Sequence, residues 1–216
     1  MKILKIALLA TLVGMFAGCA TNKPYDYSEF KKSDPKSILV LPPRNLSPDV
    51  KASYSFYSHT QRPIAEAGFY IFPVTLVDET FKANGLTVPD DIHNVDLKKL
   101  RQIFGADAVL YLDVKDYGTR YLIVNSASIV TAEAKLVDAQ SGNLLWQGKA
   151  TASSEEGQNN QGGLAALLVS AVIKQIMGTT LDQSHQIANM TSNRLLSPTM
   201  PNGILYGPRS TLYKKP

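Results

Sequence analysis

IVTAEAKLVDAQSGNLLWQGKATAS, residues 129–153, decides the fold. Val130, Ala132, Ala134 and Leu136 alternate with Thr131, Glu133 and Lys135, the period-two pattern of a strand with one apolar and one wet face. Asp138 to Asn143 (DAQSGN) supplies turn chemistry. Leu144, Trp146, Gly148 and Ala150 then alternate against Leu145, Gln147, Lys149 and Thr151. The stretch predicts a β-hairpin in which Trp146, near the turn, plugs the core or an edge.

Working outward, AVLYLDV at Ala108 to Val114 reads as a further strand. Ile38-Leu39-Val40-Leu41 is a buried strand closed by Pro42-Pro43, where two backbone donors are lost. FYIFPV, Phe69 to Val74, is aromatic and β-branched and predicts another strand. Between them Ser47-Pro48-Asp49 opens a helix over Val50 to Ala67 that Pro63 kinks or splits and Gly68 ends. Thr75 to Asn84 and Asp96 to Phe104 predict short helices joined by a loop over Leu86 to Asn94. In the second, Leu97, Leu100, Ile103 and Phe104 form one apolar face, and Gly105 stops it. Leu164 to Met177 predicts a nearly all-apolar helix followed by a second piece over Thr180 to Leu195. The fold class is therefore α/β (α+β): one three-layer-like domain over 37–196, a mixed sheet flanked by helices, with an irregular surface tail over 197–216.

The N-terminus predicts an export signal. Lys2 and Lys5 precede the uncharged apolar run Ile6 to Phe16, which is about half the roughly 20 residues that a spanning helix needs. The run stops at Ala17-Gly18-Cys19. Cys19 is the single cysteine, so a disulfide framework is excluded. Residues 20–36 (ATNKPYDYSEFKKSDPK) are polar and predict a flexible tether up to about 60 Å long.

Cleavage before Cys19 leaves 198 of the 216 residues, with 20 Lys and Arg against 18 Asp and Glu. No basic stripe with interleaved aromatics is present, so no nucleic acid is expected as a partner. His59, His93 and His185 lie far apart, and no histidine, cysteine or carboxylate spacing of the metal-binding kind occurs. No nucleophile elbow or phosphate loop occurs, and GQNNQGG at 157–163 lacks the lysine of a phosphate cradle. The doublets Asp90-Asp91 and Glu155-Glu156 point apart and read as solvated surface. No metal, cofactor or enzymatic activity is expected. The aromatic cluster Tyr54, Phe56 and Tyr57 is either core or, where exposed, a partner surface.

Phe16-Ala17-Gly18-Cys19 resembles the bacterial lipobox. That resemblance implies cleavage between Gly18 and Cys19, diacylglycerol on the Cys19 sulfur and an acyl chain on its new amino terminus. Ala20 in place of Asp implies the outer membrane, facing the periplasm. ILVLPPRN (38–45), GADAVLYLDV (105–114) and AKLVDAQSGNLLWQGKA (134–150) are similar to the N-terminal domain of TolB, to the curli secretion lipoprotein CsgG and to lipoprotein activators of penicillin-binding proteins. The whole chain resembles an outer-membrane lipoprotein family first noticed as a neisserial surface-antigen candidate. The likeness implies an anchored, non-enzymatic accessory of envelope transport, secretion or assembly. It would be a homodimer that meets envelope proteins such as a CsgG-like lipoprotein. The alternative it implies is a regulator of peptidoglycan synthesis. Asp116 to Ser128, the only place for a membrane-crossing insertion, is too short for two spanning strands, so no pore made by this chain alone is expected.

Overall fold

The computed structural model describes residues 25–121, 126–156 and 183–215. The signal, Gly18, Cys19, the glycine-rich stretch 157–163 and the helix expected over Leu164 to Met177 lie outside the described residues. In chain order the elements are α1 (Ser28–Ser33), β1 (Ser37–Val40), β2 (Arg44–Asn45), α2 (Ala52–Ser58), α3 (Gln61–Glu66) and β3 (Tyr70–Ile71). Then come α4 (Val74–Ala83), α5 (Pro89–His93), α6 (Leu97–Phe104), β4 (Ala108–Tyr121), β5 (Ser126–Asp138), β6 (Leu144–Ser153) and α7 (Gln183–Leu196).

One mixed sheet of six strands runs β3-β1-β4-β5-β6, with β2 beside β4. β1 is parallel to β3 and to β4, whereas β4, β5 and β6 are antiparallel neighbours. β1 is covered on both faces, which explains the unbroken run Ile38 to Leu41. Ile38 and Val40 face one cluster, with Leu110, Leu112, Val130, Ala132, Leu136, Trp146 and residues of α2, α3 and α7. Leu39 and Leu41 face a second, with Val77, Phe81, Ile92 and Leu100 of α4, α5 and α6. The prolines at 42 and 43 end β1, and the chain rejoins β4 as β2, parallel, at Arg44↔Asp113.

The hairpin is present; one bulge modifies its alternation, and a second lies in the neighbouring β4. Leu136 pairs with Trp146 and Val137 with Leu144, so Leu145 is the extra residue. The bulge buries Leu145 and Trp146 in succession and leaves Leu144 exposed, the reverse of strict alternation for Leu144 and Leu145. Trp146 is core: it is 1% exposed, lies across Gly148, where a Cβ would come within 2.5 Å of its ring, and donates its Nε1 hydrogen to the Asn202 carbonyl at 2.8 Å. The turn forms around Asp138, whose Oδ1 accepts from the Gln140 amide at 2.9 Å, with Gly142 at φ +77°. β4 runs seven residues past the expected Val114, because the second bulge, at Lys115, switches parity and keeps Tyr117 opposite Val130 on the buried face.

Several expected boundaries move. The helix over Val50 to Ala67 is two helices broken at His59-Thr60, with Pro63 in the first turn of α3, where its missing N–H has no intrahelical partner to lose. The strand over Phe69 to Val74 shrinks to β3, since Pro73 starts α4. The loop over Leu86 to Asn94 contains α5, with Pro89 at its first position. Asp96 caps α6 by accepting the Lys98 amide at 2.8 Å, and Gly105 ends it at φ +71°. Ile103, assigned to the apolar face of α6, is 57% exposed.

The tether over 20–36 needs the largest correction. From Tyr25 onward it is part of the domain: Phe30 of α1 is 4% exposed and meets Phe69 edge-on, with ring centroids 6.2 Å apart. The tail over 197–216 has no helix or strand among its described residues, but it packs rather than lying loose. Ile204 is buried, the Gly203 carbonyl accepts from the Tyr27 hydroxyl at 2.6 Å, and the Gly207 amide donates to the Ala67 carbonyl at 2.8 Å. Two segments that read as polar ends therefore clasp each other and the sheet.

Candidate functional site

The helices α4, α5 and α6 cover only the β1 side of their face, so the outward residues of β4, β5 and β6 floor an open groove of about 650 Å³. Its side chains come from β2 (Arg44), α5 (His93), β4 (Tyr111, Asp113, Lys115), β5 (Glu133, Lys135) and β6 (Gln147, Lys149), with Tyr25 at one rim. Register places Asp113 directly opposite Glu133. Two facing carboxylates repel, and the groove answers with cations. Arg44 donates from Nε and Nη2 to both oxygens of Asp113 at 2.7 Å each. Lys115 stands between the two, 3.8 Å from Asp113 and 3.4 Å from Glu133, and Lys149 meets Glu133 at 2.9 Å.

The electrostatics follow from these contacts. Burial pushes the Asp113 carboxyl up, but Arg44 and Lys115 outweigh it and hold the group below its ordinary value. Hydrogen bonding from Lys149, with Lys115, lowers Glu133. Both are ionised at neutral pH, as acceptors of charged hydrogen bonds rather than as groups poised near pH 7 for proton transfer. His93 donates from Nε2 to the Pro42 carbonyl at 2.9 Å and is pushed down chiefly by burial. Among the described residues no group of three or more histidine, cysteine, aspartate or glutamate side chains could hold a metal ion.

A second feature is apolar. Leu46, Val50 and Tyr54 are 52%, 85% and 55% exposed, and Val50 and Tyr54 line a shallow hollow with Ser55, Ser58, His185 and Gln186. The aromatic cluster thus divides. Tyr54 is the surface residue, whereas Phe56 is wholly buried and Tyr57 is 3% exposed, its hydroxyl donating to the Val40 carbonyl at 2.8 Å. As partner-surface residues Phe56 and Tyr57 are corrected to core, because α2 turns them onto the sheet.

Folding also joins two histidines separated by 126 positions: the rings of His59 and His185 lie 4.3 Å apart, and Ser55 Oγ is 2.7 Å from His185 Nδ1. Burial, then the charge of His185, lowers His59 to about 4, and its buried Nε2 has no hydrogen-bond partner among the described residues. The packing of α7 against α2 and α3, which no local pattern announces, brings this pair together. Of the acidic doublets, Asp90 lies 3.9 Å from Arg44, and Glu156 pairs with Arg194 and accepts the Ser153 amide at 2.9 Å.

Fold and groove define a class: a mixed α/β domain whose six-strand sheet is helix-covered on one face and partly open on the other. The chain belongs to the family described as "Putative lipoprotein GNA1162-like", whose model matches residues 25–209. It is 48% identical over 212 residues, 97% of each chain, to the Neisseria meningitidis serogroup B protein described as "Putative lipoprotein NMB1124/NMB1162". The crystal structure of lipoprotein GNA1162 from Neisseria meningitidis is similar at 48% identity and a TM-score of 0.53, over 67% of this chain and all of that one. The PelC dodecamer from Paraburkholderia phytofirmans aligns at 12% identity and a TM-score of 0.46, over 84% and 96% of the two chains. Lipoprotein character and the cell envelope follow from the family.

Proposed function

We propose that this chain is an interaction module of the outer membrane, anchored through diacylglycerol and an N-acyl chain on Cys19, facing the periplasm and serving an envelope transport, secretion or assembly system. The exposed apolar residues Leu46, Val50 and Tyr54, the last two lining one hollow, carry the reading. Three large apolar side chains within nine residues, more than half exposed, form a surface suited to a partner rather than to water. The patch lies just past the end of β2, whereas the N-terminal segment that leads to Cys19 leaves the domain at Tyr25, beside Gln147 of β6. The patch therefore lies three strands across the sheet from the point where the leash leaves. Its partners are envelope proteins, a CsgG-like lipoprotein among them, or a second copy of the chain.

The experiment is crosslinking in cells followed by capture, with the wild-type chain and with Val50→Asp/Tyr54→Ser. Recovery of an envelope protein or of a dimer by the wild type, and its loss in the variant, is the expected result. Equal recovery by both would remove the patch from the account. The regulator of cell-wall synthesis that the sequence also suggests needs reach. Only five residues, 20–24, separate Cys19 from Tyr25, and the six peptide steps limit the tether to about 20 Å rather than 60 Å.

A further inference from the structure

We propose that the end of the domain formed by α1, the starts of β1 and β3 and the C-terminal segment lies flat against the membrane, where Lys31, Lys32, Lys36, Arg209 and Lys215 meet anionic phospholipid headgroups. The inference rests on lipid attachment at Cys19 and adds the orientation and the ligand.

The first observation is covalent reach. The chain is fixed to the domain from Tyr25, whose hydroxyl accepts the Gln147 amide at 2.9 Å, and from Tyr27, which donates to Gly203. The six peptide steps from Cys19 to Tyr25 span at most about 20 Å, roughly half the 40 Å expected for the diameter of a domain of this size. A lipid on Cys19 therefore holds the β6 edge and the neighbouring α1 end within about 20 Å of the bilayer, and charge decides which surface turns to it.

The second observation is charge. Residues 25–36 and 207–216 carry six cations, Lys31, Lys32, Lys36, Arg209, Lys214 and Lys215, against three carboxylates, whereas residues 37–206 carry thirteen against fifteen. The positive charge of the mature chain is thus concentrated at its two clasped ends. The three carboxylates of these segments, Asp26, Glu29 and Asp34, and the neighbouring Asp107 and Asp138 accept from the protein's own donors, Asp26 from the Ser28 amide at 2.9 Å. Asp34 takes Lys214 at 2.8 Å and Tyr213, Glu29 accepts from Asn143 at 2.7 Å, and Asp107 accepts the Lys36 and Ser37 amides at 3.0 and 3.1 Å. Asp138 accepts from Ser33 at 2.5 Å. Lys31, Lys32, Lys36, Arg209 and Lys215 are all exposed.

A third observation is that this end also shows apolar surface. Leu212 is 45% and Tyr70 41% exposed, and the Arg209 guanidinium sits 5.3 Å from the centre of the Tyr70 ring. Aromatic and aliphatic groups set among cations suit the headgroup region, where rings and methylenes enter the boundary and charges meet phosphate. Each Lys or Arg held near an anionic surface adds roughly fivefold to its occupancy.

The test uses the full-length lipidated protein reconstituted in vesicles of phosphatidylcholine alone or mixed with phosphatidylglycerol. A fluorophore is placed on Leu212→Cys or, as the far-end control, on Val50→Cys, and quenched by headgroup-labelled nitroxide lipid. On the mixed vesicles, quenching at 212 several-fold above that at 50 is expected, with the difference reduced by high salt and by Lys31→Gln/Lys32→Gln/Lys36→Gln. Equal quenching at the two positions, or a difference indifferent to lipid charge and to the triple variant, overturns the proposal while leaving the anchor intact. Failure of the wild-type protein to remain on either vesicle overturns the anchor and the proposal together.

Discussion

Phe30→Ala separates a domain that starts at Tyr25 from one that starts at Ser37. Phe30 is 4% exposed and packs against Phe69 in a cluster that also holds Ile38 and Trp146. Removing a buried phenyl ring forfeits about 3–5 kcal/mol when the cavity stays open. α1 is only six residues long and can settle partly into the gap, so the lower end, about 3 kcal/mol, is expected. For a domain of this size each kcal/mol shifts the midpoint by about 2–4 °C, so Tm should fall by roughly 6–12 °C. Thermal unfolding followed by circular dichroism, with urea unfolding as a second measure, gives the number. Phe30→Leu should lose under about 1.5 kcal/mol. If Phe30→Ala unfolds within about 0.5 kcal/mol of wild type, as an ordinary surface change does, α1 contributes nothing and the short-tether geometry fails with it.

Lys115→Met leaves Asp113 and Glu133 facing each other with one cation fewer; a loss of about 0.5–1 kcal/mol is expected, and a neutral result in low-salt urea unfolding would contradict the network. Gly68→Ala should cost about 2–4 kcal/mol, because Gly68 has φ +96° and a Cβ would fall 2.4 Å from the Ser210 amide nitrogen; limited proteolysis should then cut the C-terminal segment, and undiminished resistance would contradict the clasp. His59 links stability to pH. Its value falls from 6.5 unfolded to about 4 folded, so its contribution is complete above pH 6.5 and is lost as pH falls toward 4. Discounted for its partial exposure, this amounts to roughly 2 kcal/mol. Wild type should therefore lose more stability than His59→Gln over that window, and parallel curves would refute the assignment.

Much of the fold was legible because its strongest signals are local. The alternation of Val130 to Leu136, the Asp138 turn, Gly105 and the run Ile38 to Leu41 each reflect one physical requirement that a single stretch can express. The bulges at Lys115 and Leu145 were not legible, since each adds one residue to a strand that otherwise reads as regular. α1 was hidden because its polar composition conceals one deciding residue, Phe30, whose partner Phe69 lies 39 positions away. The groove and the His59–His185 pair depend on register and on helix packing across the sheet. Tyr54, Phe56 and Tyr57 were visible as a cluster, but only the rotation of α2 decides which of the three faces water.

The most direct test of the anchored-domain account is mass spectrometry of the N-terminal peptide from the membrane-extracted protein, with Cys19→Ala alongside. The account predicts a peptide beginning at Cys19 that carries diacylglycerol on sulfur and an acyl chain on its amino terminus, and a Cys19→Ala protein that leaves the membrane with its domain still folded. A mature N-terminus elsewhere with a free Cys19 thiol, or a Cys19→Ala protein still held as an integral membrane protein, would contradict it.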